Sequence, residues 1–373
     1  MTESRAGIKA HGVEKQERTT RQRVWNRFLI TALALHVPVY FYPILRLCYW
    51  LELPGWLTVA VFLPIAGSQI ISRLYLRGDT RTWAIAYRKF ADFWLGLSPL
   101  LLMTLLVFEA LILFIPISTV TAAAMVIAIS SLVAIYGVVN ALSPTVKTIS
   151  LCSQKLTGPV RFVQITDVHI GSRSEKFLEQ VIAKVNGINP DFLCITGDFI
   201  DASGVPESSL ASLKTVTCPI YFSIGNHEKY EDLDEILARL TRLGVTVLRN
   251  DTLNFRDDLQ VIGIDDMDDP NQVARELGQV VVDSHAFVLL LYHRPRGLEA
   301  AAAAGVDLML SGHTHNGQIV PFNLVVGRIF DRIAGMYEHG TARLYVSQGT
   351  GTWGPVMRVG TRSEVTLFEI SPH

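Results

Sequence analysis

Five short clusters, spread between residues 167 and 315, concentrate one kind of chemistry: Asp167-Val168-His169, Gly197-Asp198-Phe199-Ile200-Asp201, Gly225-Asn226-His227-Glu228, His293, and Gly312-His313-Thr314-His315. They hold five of the ten histidines. The other five (His11, His36, His285, His339 and His373) belong to no motif and read as surface, core or tail residues. Imidazole, carboxylate and carboxamide without thiolate suit Mn, Fe, Zn or Ni and exclude a sulfur-rich structural zinc. Asp167 and His169, like His313 and His315, are two residues apart, so extended backbone would aim both members of each pair into one pocket. The glycines before Asp198, Asn226 and His313 allow the chain to turn sharply there. Any one cluster alone is ordinary turn chemistry. Five of them in series point to a shared metal site.

These clusters need elements to converge them, and the sequence supplies strands. Short apolar runs at 160–166, 192–196, 220–224, 245–248, 260–264, 287–292, 307–310, 343–346 and 364–368 read as buried strands. Phe177, Leu178, Val181, Ile182 and Val185 recur at helical spacing, as do Leu233, Ile236, Leu237, Leu240 and Leu243 before Gly244. Every cluster falls directly after a predicted strand, where α/β proteins place their sites. So many strands for so few helices predict a two-sheet β-sandwich flanked by helices.

The rest of the chain is a different kind of polymer. Of 373 residues, 49% are hydrophobic and 18% charged. Residues 1–158 hold 15 Lys and Arg against 7 Asp and Glu, a balance of +8, while the remainder holds 18 against 27, a balance of −9. This split argues for two differently solvated parts and against a nucleic-acid binder. Apolar runs at 28–50, 55–72, 91–115 and 118–140 approach or exceed the ~20 residues that cross a bilayer. Trp25, Tyr49, Trp50, Trp56, Trp83 and Trp94 stand near their ends, where amphipathic rings belong. Lys and Arg gather before the first run and between the second and third, and the two opposite loops carry none. Four spans then put both ends on the cytoplasmic side of a cell inner membrane. His36, Asp92 and Glu109 lie in or near the spans and read as packing residues of a helix bundle. The four cysteines are scattered, so no disulfide framework is expected, and Cys194 reads as a buried thiol.

In order and in type, DxH, GDxxD, GNHE, a lone His and GHxH resemble the calcineurin-like metallophosphoesterase superfamily, from about Arg161 to Glu369. Tyr292-His293-Arg294-Pro295, Gly312 through Gln318, and Gly349-Thr350-Gly351 resemble its bacterial membrane-associated branch, some of whose members hydrolyse UDP-2,3-diacylglucosamine. The apolar runs and the resemblance together predict a bundle of about four transmembrane helices followed by an α/β metallophosphoesterase domain. The parts of the chain would be a basic tail (1–27), the spans (28–140), a linker (141–158) and the domain (159–373). The resemblance implies two divalent metal ions, Mn2+, Zn2+ or Fe. The first would be held by Asp167, His169, Asp198 and His315, the second by Asp198, Asn226, His293 and His313, with Asp198 bridging. His227 resembles the catalytic histidine and Asp201 the carboxylate that orients it. Two metals ~3.5–4 Å apart clamp the attacking and leaving oxygens of an in-line displacement, with a bridging hydroxide as nucleophile. The expected substrate is a phosphodiester or pyrophosphate on a lipid-linked partner such as UDP-2,3-diacylglucosamine, within reach of the bilayer. A soluble phosphodiester such as a cyclic nucleotide, with the spans only an anchor, stays open, as does a non-catalytic metal-binding scaffold. Arg173, Arg294, Tyr337, Trp353 and Arg358 lie in loops near the motifs, where they are candidate substrate contacts or else solvated or packing residues, and they are left outside the site.

Overall fold

The computed structural model describes residues 36–373 apart from 77, 80 and 203. The chain forms two units, and it passes from one to the other inside the helix Thr119–Leu142, between Leu132 and Val133. Among the described residues three helices are long and apolar enough to cross a membrane: Gly55–Tyr75, Thr82–Leu111 and Thr119–Leu142. The first predicted span, 28–50, begins outside the described residues, and its described part is helical from Val37 to Trp50.

The predicted third span, 91–115, is corrected to Thr82–Leu111. Trp83, Ala84, Ala86 and Tyr87 carry the helix back past Arg88 and Lys89, whose long stems tolerate an apolar surface. At thirty residues it measures about 45 Å, longer than the ~30 Å hydrocarbon core of a bilayer. His36, Asp92 and Glu109 each have a partner within this unit. Glu109 pairs with Arg46 at 2.6 Å, Asp92 with Arg73 at 2.9 Å, and His36 Nε2 stands 3.0 Å from the Ala66 carbonyl. Tyr40, Ile44, Cys48 and Ile65 form the core beside them.

The second unit is the predicted two-sheet sandwich. Its strands are β1 (Thr145–Ser153), β2 (Val160–Ile165), β3 (Phe192–Thr196), β4 (Ile220–Ser223), β5 (Val245–Val247) and β6 (Asp251–Arg256). They continue with β7 (Leu259–Ile264), β8 (Phe287–Tyr292), β9 (Leu308–Ser311), β10 (Gly335–His339), β11 (Ala342–Val346) and β12 (Glu364–Pro372). One sheet runs β1-β12-β2-β3-β4-β5 and the other β10-β11-β9-β8-β7-β6. Strands β2 to β5 are parallel, as are β7, β8, β9 and β11.

Alternation along each strand assigns its side chains to two cores. Phe162, Phe192 and Cys194 face the opposite sheet, with Leu289, Leu291, Leu308, Tyr345 and Phe368. Phe162 stacks on Phe192 at 4.8 Å and on Phe368 at 4.9 Å. Val163, Ile165, Leu193 and Ile195 face outward to the helices Glu175–Ile188 and Leu233–Arg242. The second sheet is covered by Gln272–Leu277 and Leu298–Ala303. Helix, sheet, sheet and helix thus stack in four layers.

The predicted linker, 141–158, is corrected: half of it is β1, a nine-residue edge strand parallel to β12 from Thr145↔Glu364 to Ser153↔Pro372. The end of the helix before it is also part of this unit. Asn140 Nδ2 donates to the carbonyls of Arg358 (3.0 Å) and Thr361 (2.7 Å), and Arg358 N donates to the Gly137 carbonyl at 2.9 Å. A Cβ at Gly137 would sit 2.7 Å from Met357 Cγ, so only glycine permits this approach.

Candidate metal centre

All five clusters meet where the two sheets' parallel strands end. Asp167 and His169 follow β2, Asp198 and Asp201 follow β3, Asn226 and His227 follow β4, His293 follows β8, and His313 and His315 follow β9. The loops pair laterally: Asp167 N donates to the Gly197 carbonyl (3.1 Å) and His169 N to that of Asp198 (3.1 Å).

The expectation of extended backbone at the two-apart pairs is corrected. Asp167, His169, Asp198, His313 and His315 all have left-handed φ, at 53°, 58°, 51°, 73° and 48°. Each costs about 1–2 kcal/mol relative to ordinary backbone, so the surrounding structure has to impose it. Asp167 and His169 nevertheless share one ligand set, unlike His313-x-His315, whose two rings divide between two.

Asp167, His169 and His315 bring their ligand atoms within 4.8 Å of one another, and Asp198, His293 and His313 do the same. His169 Nε2 stands 3.2 Å from His315 Nε2, and His315 Nε2 is 3.5 Å from Asp167 Oδ1. In the second set His293 Nε2 stands 3.0 Å from Asp198 Oδ2 and 3.1 Å from His313 Nδ1. Electron-pair donors this close repel one another unless a proton or a cation lies between them. A cation with ligands at 2.0–2.2 Å holds them roughly 3–3.5 Å apart, which matches. Asn226 Oδ1 is buried with no hydrogen-bond partner among the described residues, a costly condition unless it serves as a ligand. The donor set therefore fits divalent cations.

Two charged groups hold the loops in place. The buried Glu228 carboxylate accepts from the backbone N–H of Phe199 (2.6 Å), Gly225 (2.9 Å), Ile200 (3.0 Å) and Asp198 (3.1 Å). Burial, and then the charge of Asp198, push its carboxyl up to about 7. A Cβ on Gly225 would fall 2.2 Å from Asp198 Oδ1, so glycine is required for the two loops to lie this close. The Arg358 guanidinium, fully buried, donates to the carbonyls of Gln348, Gly351, His315 and Gly349. Neither role was read from the sequence. Glu228 stood inside a motif without a task, and Arg358 was set aside with the packing residues.

The charges of the site follow from these contacts. Burial pulls His293 down, but the Asp198 carboxylate outweighs it and holds the imidazole at about 10. Asp198 itself, despite burial, lies well below the usual carboxylate range because His293, His227 and His169 surround it. Burial, with positive neighbours, holds His313 and His315 well below the ordinary imidazole value. Asp198 and His293 thus each favour the charged form of the other.

His227 flanks the ligand sets without joining them. Its backbone N–H donates to Asp198 Oδ1 (2.8 Å), its Nε2 is 4.0 Å from Asp198 Oδ2, and its ring stands edge-on to His169 at 4.8 Å. Burial holds its pKa below the ordinary value, and its side chain is 22% exposed, enough to be met from outside. Asp201, expected to orient His227, has its ion-pair contact with His169, Oδ2 lying 3.3 Å from Nδ1, while its other oxygen accepts from Ser172 N at 2.9 Å. His227 still lies within 4.8 Å of that pair. Of the residues set aside, Arg173, Arg294 and Arg358 are buried and tied to protein groups, and Trp353 is half exposed.

Residues 160–317 match the family model of calcineurin-like phosphoesterases. The chain is 34% identical over 244 residues to an uncharacterized metallophosphoesterase of Campylobacter jejuni, with 62% of this chain and 64% of that protein covered. A second uncharacterized metallophosphoesterase, from Aquifex aeolicus, is 32% identical over 227 residues, covering 57% of this chain and 85% of the relative. A transmembrane protein with metallophosphoesterase domain from Danio rerio is 31% identical over 274 residues, covering 64% of this chain and 60% of the relative. The chain thus spans a little under two thirds of the C. jejuni and D. rerio relatives.

Proposed function

We propose that this chain, which belongs to the calcineurin-like metallophosphoesterase family, is a membrane-anchored hydrolase of phosphodiesters or pyrophosphates working with two divalent cations. The observation that carries the reading is the convergence of Asp167, His169 and His315 and of Asp198, His293 and His313; the Asn226 oxygen, buried without a hydrogen-bond partner among the described residues, is assigned to the second set. Asp198 is assigned to both cations as the bridge. Bound there, Mn2+, Zn2+ or Fe would supply Lewis acidity that polarises a phosphoryl oxygen and activates water. His227 holds a proton at Nε2 for the departing oxygen, Glu228 and Arg358 fix the ligand loops, and Asp201 orients His169, within reach of His227.

The substrate is assigned to the lipid-linked class, of the UDP-2,3-diacylglucosamine kind. Three helices able to span a bilayer, and a relative named for a transmembrane region joined to such a domain, support this assignment. The distribution of Lys and Arg supports four spans in the inner membrane with the hydrolase on the cytoplasmic face.

The test is hydrolysis of bis(p-nitrophenyl) phosphate by the detergent-purified chain, together with its metal content. Activity lost to a chelator and restored by Mn2+, at two metals per chain, is the expected result. Hydrolysis that withstands the chelator would sink the reading.

A further inference from the structure

Between the His313–His315 turn and β10 the chain leaves the core and exposes apolar side chains for which the phosphoester chemistry has no use. Phe322, Leu324, Val325 and Ile329 are 50%, 68%, 47% and 62% exposed, on the short helix Phe322–Val326 and the turn after it. The segment is braced against the metal centre. The Phe330 ring stands 5.1 Å from that of His313, and Thr314 Oγ1 donates to the Ile333 carbonyl at 2.6 Å. Trp353, 50% exposed, is joined to its base through Gln318, which accepts from Trp353 N and donates to the Trp353 carbonyl. Several large apolar residues exposed in one stretch mark a surface meant to be covered.

Chain length identifies the cover. Only Ser143 and Pro144 separate β1 from the helix Thr119–Leu142, which is long and apolar enough to cross a bilayer. Such a helix, crossing a bilayer, would start the domain at a lipid surface. The segment also has the composition of an interfacial anchor: Phe, Leu, Val and Ile, with Trp353 beside them and the exposed Arg328 among them. Asp331, exposed as well, keeps its net charge low, so apolar burial and not charge supplies the attraction. We infer that Pro321–Phe330 is a membrane-docking segment that seats on the lipid surface beside His313, bringing the metal centre to phosphoesters whose acyl chains stay in the bilayer. The docking stands on geometry and chain length together with membrane anchoring. Its consequence for substrates rests on the function proposed above.

The test uses the full chain reconstituted in vesicles of phosphatidylethanolamine and phosphatidylglycerol, in a Cys152→Ser, Cys218→Ser background. A fluorophore is attached at Leu324→Cys or Ile329→Cys, with Val281→Cys, at a site 81% exposed, as the control. Quenching by lipids carrying a nitroxide near the headgroup is expected at 324 and 329 and not at 281. No quenching at 324 and 329 overturns the inference. Quenching between labelled chains that fades on dilution in lipid also overturns it, in favour of a second copy as the occupant. In the double variant Leu324→Glu, Ile329→Glu, turnover of a diacylglycerol nitrophenyl phosphodiester in the vesicles should fall about tenfold through lost surface confinement. Turnover of bis(p-nitrophenyl) phosphate should change less than about twofold, because confinement does not act on a soluble substrate. Equal losses on both substrates overturn the docking role. If the unsubstituted chain hydrolyses neither substrate, the proposed function fails while the quenching still reads the docking.

Discussion

The two ligand sets differ in what stands behind their imidazoles: a guanidinium and a carboxylate in the first, a carbonyl in the second. In the first, His315 Nδ1 is 3.3 Å from the Arg358 guanidinium, a group that can only donate, although His169 is backed by the Asp201 carboxylate. In the second, His293 Nδ1 rests 2.8 Å from the Thr196 carbonyl, and the loop carrying Asp198 hangs on the Glu228 carboxylate. A carbonyl or carboxylate behind an imidazole fixes its tautomer and raises its basicity, whereas a guanidinium does the reverse. The two positions should therefore differ in affinity, with the second set holding its cation more tightly. A pair that looks symmetric as a list of ligands is asymmetric in what stands behind it.

The largest effect expected is from Asp198→Ala, which removes the carboxylate of the second set and, as the assigned bridge, a ligand of the first. Hydrolysis should drop to the uncatalysed background with metal content below two per chain. Retention of both metals would remove the bridge from the comparison. Next is His227→Ala, which should keep both metals yet slow a poor-leaving-group phosphodiester by about 10²–10⁴-fold, with much less loss on a nitrophenyl ester. Because burial holds the pKa of His227 below its ordinary value, its acid form is lost as pH rises through that value. The advantage of wild type over the variant should shrink in the same direction.

Asp201→Asn comes third, and it separates the sets. If Asp201 serves His169, metal affinity at the first set should weaken by about 10–100-fold while the second is unchanged, as read by calorimetric titration. If it serves His227 instead, both affinities stay and the leaving-group dependence changes. The smallest effect is on pH. With His293 at about 10 before metal enters, the second set must release that proton on binding, so its affinity should rise by up to about tenfold per pH unit and level off near that value. Calorimetry in buffers of different ionisation enthalpy counts the proton. A titration without proton release would mean His293 is already neutral.

How much of this could be read in advance depended on whether the cause was local. Strands such as Phe192–Thr196 and Phe287–Tyr292 are buried on both faces, so their apolar runs announced them, and the ligands after them could be placed. β1 escaped because it is an edge strand, mostly exposed, whose run of Thr, Val, Thr and Ile is interrupted by polar residues; β6, with only Leu253 and Phe255 facing the core, escaped for the same reason. The left-handed backbone at Asp167 or His315 has no sequence signal beyond nearby glycines. The anchoring by Glu228 joins backbone groups about thirty residues apart, and that of Arg358 reaches back 43 residues to His315. Such contacts exist only once the chain has folded, so no local pattern carried them.

The seam between Gly137 and β1 sets the limits of this domain as a movable module. Motif similarity begins at residue 160, but a fragment cut there loses β1 and leaves β12 as a bare edge in the company of an antiparallel neighbour. An unpaired, apolar edge invites pairing with other chains, so such a fragment should aggregate on expression where one starting near Val133 stays dispersed. By the same reasoning, transplanting this domain between proteins requires carrying the end of the helix Thr119–Leu142 along with it.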